Sequence, residues 1–579
     1  NGSFTASTGS TLEMNGSASQ SIGGLATPLL LNSLTISNTG GTVTTARDLT
    51  ASSNFTNSGI LDMSNFILSV GNTINNSGTL LTAVPAVKSL YPIPAGKEWG
   101  GTVVYNVDAA QNAVAGSFTN LTINNGVGVT ISNAAQIGIS GTLLINSNKK
   151  LIVDAANTLT VSGTITNNGG TAGLILESNS SGNASLIHNS NNVPATVKRY
   201  ISGVKEAWHF IASPVSNQTI SGTDWTPTGT YGNGTGYDLY LWNEPTPCWT
   251  YLLNTTAAPT WPSLHPSANF VTARGYLYST QAVNPTKEFA GLLNNGTITY
   301  PLTNSSPDLT VKGFNLIGNP YPSTIDWKAT TGWTRSALVT AAGGYDMYIW
   351  NPAANNYGVF NSNGTTGTNS VTQYIAPTQG FFVRASTAGS ITMGNAVRVN
   401  TGANNWMRVQ AEKENRLKVK IEAKDGTGFD EVLLQFGAQT NESGAMKLFS
   451  RTPTAPSAYL TVSDKDLSVR YLTDVVANPT VSLSFKAGID GNYAVSVDSK
   501  AANFPYLLLE DKKTKTITDL NIKSTYEFKA SVKDATDRFI IHFTPINVTP
   551  EVTPPATIET VKLAALIYLS LIHISEPTR

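Results

Sequence analysis

Four short blocks occur twice in this chain, in the same order and at offsets of 102 to 108 residues. The first set is Phe210-Ile-Ala-Ser-Pro214, Asp224-Trp225, Gly236-Tyr-Asp-Leu-Tyr-Leu-Trp-Asn243 and Gly275-Tyr-Leu-Tyr278. The second is Leu316-Ile-Gly-Asn-Pro320, Asp326-Trp327, Gly344-Tyr-Asp-Met-Tyr-Ile-Trp-Asn351 and Gly380-Phe-Phe-Val383. Such a pattern demands two copies of one folding unit of about a hundred residues. The Tyr-Asp-Leu-Tyr-Leu-Trp phrase alternates as a strand does. Asn319-Pro-Tyr-Pro322 reads as a turn, because proline fixes its own φ and restricts the residue before it. The copies are assigned to residues 196–308 and 309–403, and Trp225 and Trp327 are expected as core or corner residues.

Residues 1–195 repeat on a shorter scale. Ser58-Gly59-Ile60-Leu61 and Ser77-Gly78-Thr79-Leu80 are offset by 19, and Ser140-Gly141-Thr142-Leu143 and Ser162-Gly163-Thr164-Ile165 by 22. Periods near 20 with short apolar strands between Asn, Ser and Gly turns predict a β-solenoid, parallel β-helix-like, whose stacked rungs bury what one rung alone cannot. The turns are expected to use Gly and Asn for their tolerance of positive φ. Residues 84–115, with Pro85, Pro92, Pro94 and Trp99, read as a loop or a local strand pair.

Charge marks the next boundary. Residues 1–200 hold 14 charged side chains, 201–403 hold 16 and 404–545 hold 37. In the rear part Arg416-Leu-Lys-Val-Lys-Ile-Glu422 alternates polar and apolar, and several similar strands follow. This predicts an antiparallel β-sandwich over 404–545. The fold class is therefore all-β. Residues 546–568 read as a Pro-rich linker. Residues 569–579, LSLIHISEPTR, look like a translated sequencing adapter and are set aside from fold reasoning.

A zero net charge with only 12% charged residues gives no electrostatic reason for nucleic acid as a partner. The longest apolar run, Leu563 to Ile574, is too short for a membrane span. The single cysteine, Cys248, excludes an internal disulfide or a multi-cysteine metal site. No histidine lies in an HExxH, and no phosphate-binding loop is present. In the front part the acidic residues are scattered, with Arg47-Asp48 and Lys149-Lys150…Asp154 the only close groups. Solenoid lyases and hydrolases need convergent carboxylates, so Arg47, Asp48, Asp62, Lys150 and Asp154 form the only candidate solenoid active site. No cofactor, metal or catalytic residue is assigned.

Several strings together resemble the large secreted surface proteins of Bacteroidota-type bacteria, cargo of the type IX secretion system. They are Gly313-Phe-Asn-Leu-Ile-Gly-Asn-Pro-Tyr-Pro322 with Asp326-Trp327, Gly380-Phe-Phe-Val383, Phe485-Lys-Ala-Gly488, Tyr506-Leu-Leu-Leu-Glu-Asp511, Tyr526-Glu-Phe528 and Asp537-Arg-Phe-Ile-Ile-His-Phe543, behind a solenoid front. The resemblance implies export to the cell exterior and a C-terminal sorting domain, absent here, that would engage the secretion machinery.

Eight of the ten tryptophans lie in the duplicated middle. Flat indoles bind sugar rings and Asn edges orient hydroxyls, so Trp242, Asn243, Trp350 and Asn351 are the candidate ligand-binding residues. Their equivalence in the two copies suggests two-site avidity. The function expected is a non-enzymatic extracellular or cell-surface protein, adhesin or matrix-like, with surface glycans or host and matrix surfaces as partners. The alternative is a carbohydrate-binding module array of a larger polysaccharide-degrading protein. A β-helix polysaccharide lyase or hydrolase stands third.

Overall fold

The computed structural model of the chain describes residues 7–24, 28–132, 135–227, 239–400, 415–438, 444–499 and 504–546. The linker and adapter-like segments expected over 546–579 lie outside the described residues, Ile546 excepted. Almost all regular structure is strand.

The front is a solenoid of about eight turns built from parallel sheets. Most of its three-residue strands read buried, partly exposed, buried, because alternate side chains point inward. Register places Val43, Leu61, Leu80, Val103, Leu121, Leu143 and Ile165 directly above one another. All seven are buried, so one aliphatic column runs along the stack. Polar corners stack as well: buried Asn57 donates from Nδ2 to Asn76 Oδ1 at 2.7 Å.

The recurring Ser-Gly is explained differently from the expectation. Gly59 and Gly78 do not have positive φ. Instead the rungs touch there. A Cβ at Gly78 would lie 2.1 Å from the Gly59 carbonyl oxygen, closer than any real contact. Residues 84–115 rejoin the stack: Lys97–Tyr105 pairs in parallel with strands on both sides, with a register shift between Trp99 and Thr102. Trp99 is fully buried, edge-on to Phe55.

No linker separates solenoid from module. Pro194–Tyr200 pairs in parallel with Leu174–Leu176 of the solenoid and antiparallel with Thr286–Leu293 of the first copy, so residue 196 sits inside a shared strand. Buried Arg199 ties the joint: Nη1 donates to Asn183 Oδ1 and to the Pro377 carbonyl, both at 3.1 Å.

The duplication is structural. The first copy has strand order Trp208–Ile211, Tyr276–Ser279, Leu239–Asn243, Cys248–Tyr251; the second has Phe314–Gly318, Gly380–Arg384, Gly344–Asn351, Asn356–Asn361. Trp225 and Trp327 are buried core residues, their Nε1 atoms donating to the Glu288 and Tyr345 carbonyls.

The rear is a two-sheet β-sandwich, antiparallel except that Phe429–Phe436 and Val469–Leu472 run parallel. Three of the rear strings named above converge. Arg538 grips Asp511 bidentately at 3.0 and 2.7 Å, Tyr526 donates to the same carboxylate, and the guanidinium lies over Phe528.

Candidate functional site

The two copies are joined by contacts that occur in pairs. Ile211 bridges Gln379, and the equivalent Ile317 bridges Arg274. Ala212 N donates to the Thr378 carbonyl, and the equivalent Gly318 N donates to the Ala273 carbonyl, each at 2.9 Å. Each bond is the other with the copies exchanged, so the joint has the reciprocity of an isologous dimer within one chain. Gly275 and Gly380, also equivalent, are where the neighbouring copy's strand crosses. A Cβ would lie 2.5 Å from the Ile317 carbonyl oxygen in one case and 2.9 Å from Phe210 Cβ in the other.

Cross-strand register sorts each sheet into two faces. In the first copy Ile211, Leu239, Leu241, Tyr276 and Tyr278 face inward, onto Trp225 and Phe270. Trp208, Phe210, Leu277, Tyr240, Trp242 and Trp249 share the other face. Their counterparts in the second copy are Phe314, Leu316, Phe382, Tyr348, Trp350 and Tyr357. The two outer faces meet at the pseudo-twofold, where Phe210 packs on Trp249, Tyr357 and Phe382.

This geometry creates two related troughs. One, of about 160 Å³, is lined by Trp242, Trp249, Phe314, Tyr357 and Phe382, and Leu448–Arg451 of the sandwich closes over it. Arg451 lies 5.0 Å above the Trp242 ring. The other, of about 320 Å³, is lined by Trp208, Tyr240, Trp249, Leu277, Trp350 and Tyr357. Here only Arg451 and Thr452 of the sandwich reach the edge. Trp208, Tyr240, Trp249 and Leu277 are partly exposed, whereas Phe314, Tyr348 and Phe382 are buried. The chain has two equivalent aromatic faces and one sandwich to cover them.

The four residues singled out from sequence are placed as follows. Trp242 and Trp350 are each only 8% exposed and belong to one apolar cluster, so the structure brings them together rather than displaying them on two separate sites. Trp242 Nε1 donates to the Phe314 carbonyl at 2.7 Å. Trp350 Nε1 is buried without a hydrogen-bond partner among the described residues. Asn351 is buried, donating to the Asn369 carbonyl and accepting from Ala353 N at 3.0 Å, an Asx turn. Asn243 is partly exposed, its Nδ2 3.5 Å from the Thr246 carbonyl. The exposed aromatic surface lies instead on Trp208, Tyr240 and Trp249. Sequence held a signal for them: alternation puts Trp208 with Phe210, and Trp249 is opposite Trp242 in a two-strand register.

Glu244, next to Asn243, carries the joint between copies. Its buried carboxylate accepts from Ser305 N, Ser306 N and Gly313 N at 2.9–3.0 Å. Burial raises its pKa, but these three amide bonds outweigh that and hold the carboxyl below its usual range. Among the described residues no group of three or more His, Cys, Asp or Glu is placed to hold a metal ion. The candidate solenoid site does not assemble. Asp62 and Asp154 lie on rungs four register steps apart, or about 19 Å at ~4.8 Å per step. Asp62 and Asp154 instead accept from neighbouring turn amides.

The family described as "Domain of unknown function (DUF8693)" matches residues 109–543, well over half of the 579. The chain belongs to this family. No curated protein and no solved structure matches it. The DUF8693 match begins inside the solenoid and ends at Phe543, the last buried core residue of the sandwich. Last rungs, both copies and sandwich are thus one family unit, as the shared strand Pro194–Tyr200 requires. In that unit the paired troughs are central. No helix of the described residues is long and apolar enough to cross a membrane.

Proposed function

We propose that this DUF8693 protein is a non-enzymatic protein of the cell exterior, adhesin or matrix-like, exported by type IX secretion from a Bacteroidota-type bacterium. In this reading the solenoid is a stalk, the paired modules carry the adhesive site, and surface glycans or matrix surfaces are the partners. The observation that supports it most is the open trough. Aromatic side chains normally buried in small β modules are left partly exposed at one place, beside no clustered carboxylates and no metal-ligand group among the described residues. Three of the rear strings on which the secretion resemblance rests pack around one buried ion pair, Arg538–Asp511, which supports reading them as one structural unit.

A saccharide reading of the same trough is favoured by its donors. Indole faces at Trp208 and Trp249 stack on sugar rings, while Arg451 and Thr452 supply hydrogen bonds to hydroxyls. This is the carbohydrate-binding alternative with one trough in place of an array. Glycan-array binding of the full chain, repeated with Trp208→Ala and Trp249→Ala, tests it. Loss of signal in both variants is expected. Neutral-glycan signals that ignore both substitutions, or no bound neutral glycan at all, would exclude saccharide binding at the trough.

A further inference from the structure

A second concave site lies between the second copy and the sandwich. It is a cleft of about 300 Å³ lined by three cations, Arg416, Lys418 and Lys420, and two carboxylates, Glu431 and Asp498, the latter opposite Lys418 in the sheet. The cations are successive outward positions of the strand Arg416–Ala423, where alternation turns every second side chain the same way. Short hydroxyl side chains, Thr365, Thr366, Ser370 and Thr372, make the opposite wall.

The cations differ in how they are satisfied. Lys418 pairs with Glu431 at 3.4 Å, and Lys420 pairs with Glu422. Arg416 has no carboxylate within ion-pair distance among the described residues; its Nη1 meets only the Thr366 hydroxyl, at 3.2 Å. Its Nε is buried with no hydrogen-bond partner, and so is Thr365 Oγ1. A buried guanidinium N–H left unpaired is costly, and both residues line the cleft. The hydroxyl wall is also held in place. Asn369 and Ser370 both adopt positive φ, 47° and 63°, a conformation unfavourable for L-residues and found at ligand sites. Bonds from Asn369 N to Glu431 and from Asn369 Nδ2 to Asp430 fix it.

We infer that this cleft binds an acidic saccharide, with a carboxylate on Arg416 and ring hydroxyls on Thr365, Ser370 and Thr372. Guanidinium and carboxylate match as a fork, and the row of hydroxyls suits a polyol. The volume admits a one- or two-ring ligand. Lys418 and Lys420 are neutralised by their own carboxylates, which leaves Arg416 as the cation open to a ligand. The site is separate from the aromatic trough and does not depend on how the trough is read.

The test is calorimetric titration of the full chain with digalacturonate, digalactose and inorganic sulfate. Digalacturonate is expected to bind, more weakly as salt rises, and any digalactose binding to be independent of Arg416. Arg416→Met should weaken digalacturonate about tenfold or more, the cost of one charge-assisted bidentate contact. Thr365→Val, nearly the same shape, should weaken it less. Melting temperatures confirm that each variant is folded. Digalactose binding that Arg416→Met weakens equally, sulfate binding as tight as digalacturonate, digalacturonate binding that Arg416→Met and Thr365→Val leave unchanged, or none with the wild-type chain would each overturn the inference. None of those outcomes bears on the trough, whose variants are read separately.

Discussion

The two copies of the module share strand order, core tryptophan and reciprocal joint, yet their outer faces have different fates. In the second copy Phe314, Tyr348 and Phe382 are sealed beneath Leu433, Leu448, Val469 and Tyr471 of the sandwich. In the first copy Trp208, Tyr240 and Leu277 occupy the matching positions and stay partly exposed. The same architecture therefore serves as a docking surface in one copy and an open trough in the other. What distinguishes them is not the sheet but which copy the following domain folds onto. An aromatic position is core or site according to its neighbour, and duplication makes that visible.

The most severe way to break the contrast is to free the covered face. Asp430 and Lys447 form an ion pair with both side chains fully buried. Asp430 also accepts from Ala458 N and Asn369 Nδ2, linking the sandwich to the second copy. Asp430→Ala leaves an uncompensated ammonium, at a cost of about 3–5 kcal/mol. Denaturant unfolding should show that loss together with dye binding to newly exposed aromatics. A variant as stable as the wild type would mean the pair does not hold the docked face.

Substitution at equivalent joint glycines sharpens the symmetry itself. Gly275→Ala forces a Cβ against a carbonyl oxygen, and Gly380→Ala against a methylene carbon. Both should destabilise by about 1–3 kcal/mol, the usual cost of overpacking, with Gly275→Ala the worse because backbone yields least. Melting curves of the two variants decide it, and equal or reversed effects would show that the pseudo-twofold is looser than its hydrogen bonds indicate.

Acid titration separates the regions in another way. Burial first, then the charges of Arg398 and Arg199 respectively, holds His188 at about 4 and His209 at about 3. Both lie below the ordinary 6.5, so the unfolded chain takes up protons first as pH falls. Their stabilisation is complete above pH 6.5 and is lost on descent toward those values. For His188 that is about 3 kcal/mol. Asp346 in the second copy has the opposite sign. Burial lifts it from 3.8 to about 7, so its contribution is complete below 3.8 and is lost as pH rises through 7. Between pH 4 and 6.5 the slopes oppose each other. Asp346→Asn should therefore make stability fall more steeply with acid, and an unchanged slope would contradict the assignment.

How much of this was legible in the sequence follows from range. The rungs, the duplication and the sandwich strands are written in local periodicity, which is why Leu61, Leu80 and Leu143 stack as their spacing requires. The charge step near 404 located the sandwich for the same reason: its strands are polar on one face. Contacts between distant segments left no such trace. Nothing local says that Trp242 spends its N–H on the Phe314 carbonyl 72 residues away, so the most repeated tryptophans looked like the exposed ones. The Ser-Gly phrase was legible as a repeat but not in its cause, because a rung-to-rung contact is invisible within one rung. Arg416 read as one charge among 37 until the second copy's hydroxyl loop lay opposite it.

The gentlest intervention isolates the comparison best. Trp208 and Phe314 are the same position in the two copies. Phe314 is 1% exposed, so Phe314→Ala should cost about 3–5 kcal/mol, as for a buried aromatic. Trp208 is larger but partly exposed and packs edge-on against Tyr240 at 5.3 Å. Its truncation removes less buried area and leaves an open trough rather than a closed cavity. Trp208→Ala should then cost only about 1–2 kcal/mol while abolishing capture of neutral glycans at the trough. Paired denaturation and binding measurements on the two variants test whether the positions have parted roles. If Trp208→Ala destabilises as much as Phe314→Ala, the first copy's face is core after all, and the open trough loses its standing as a binding site.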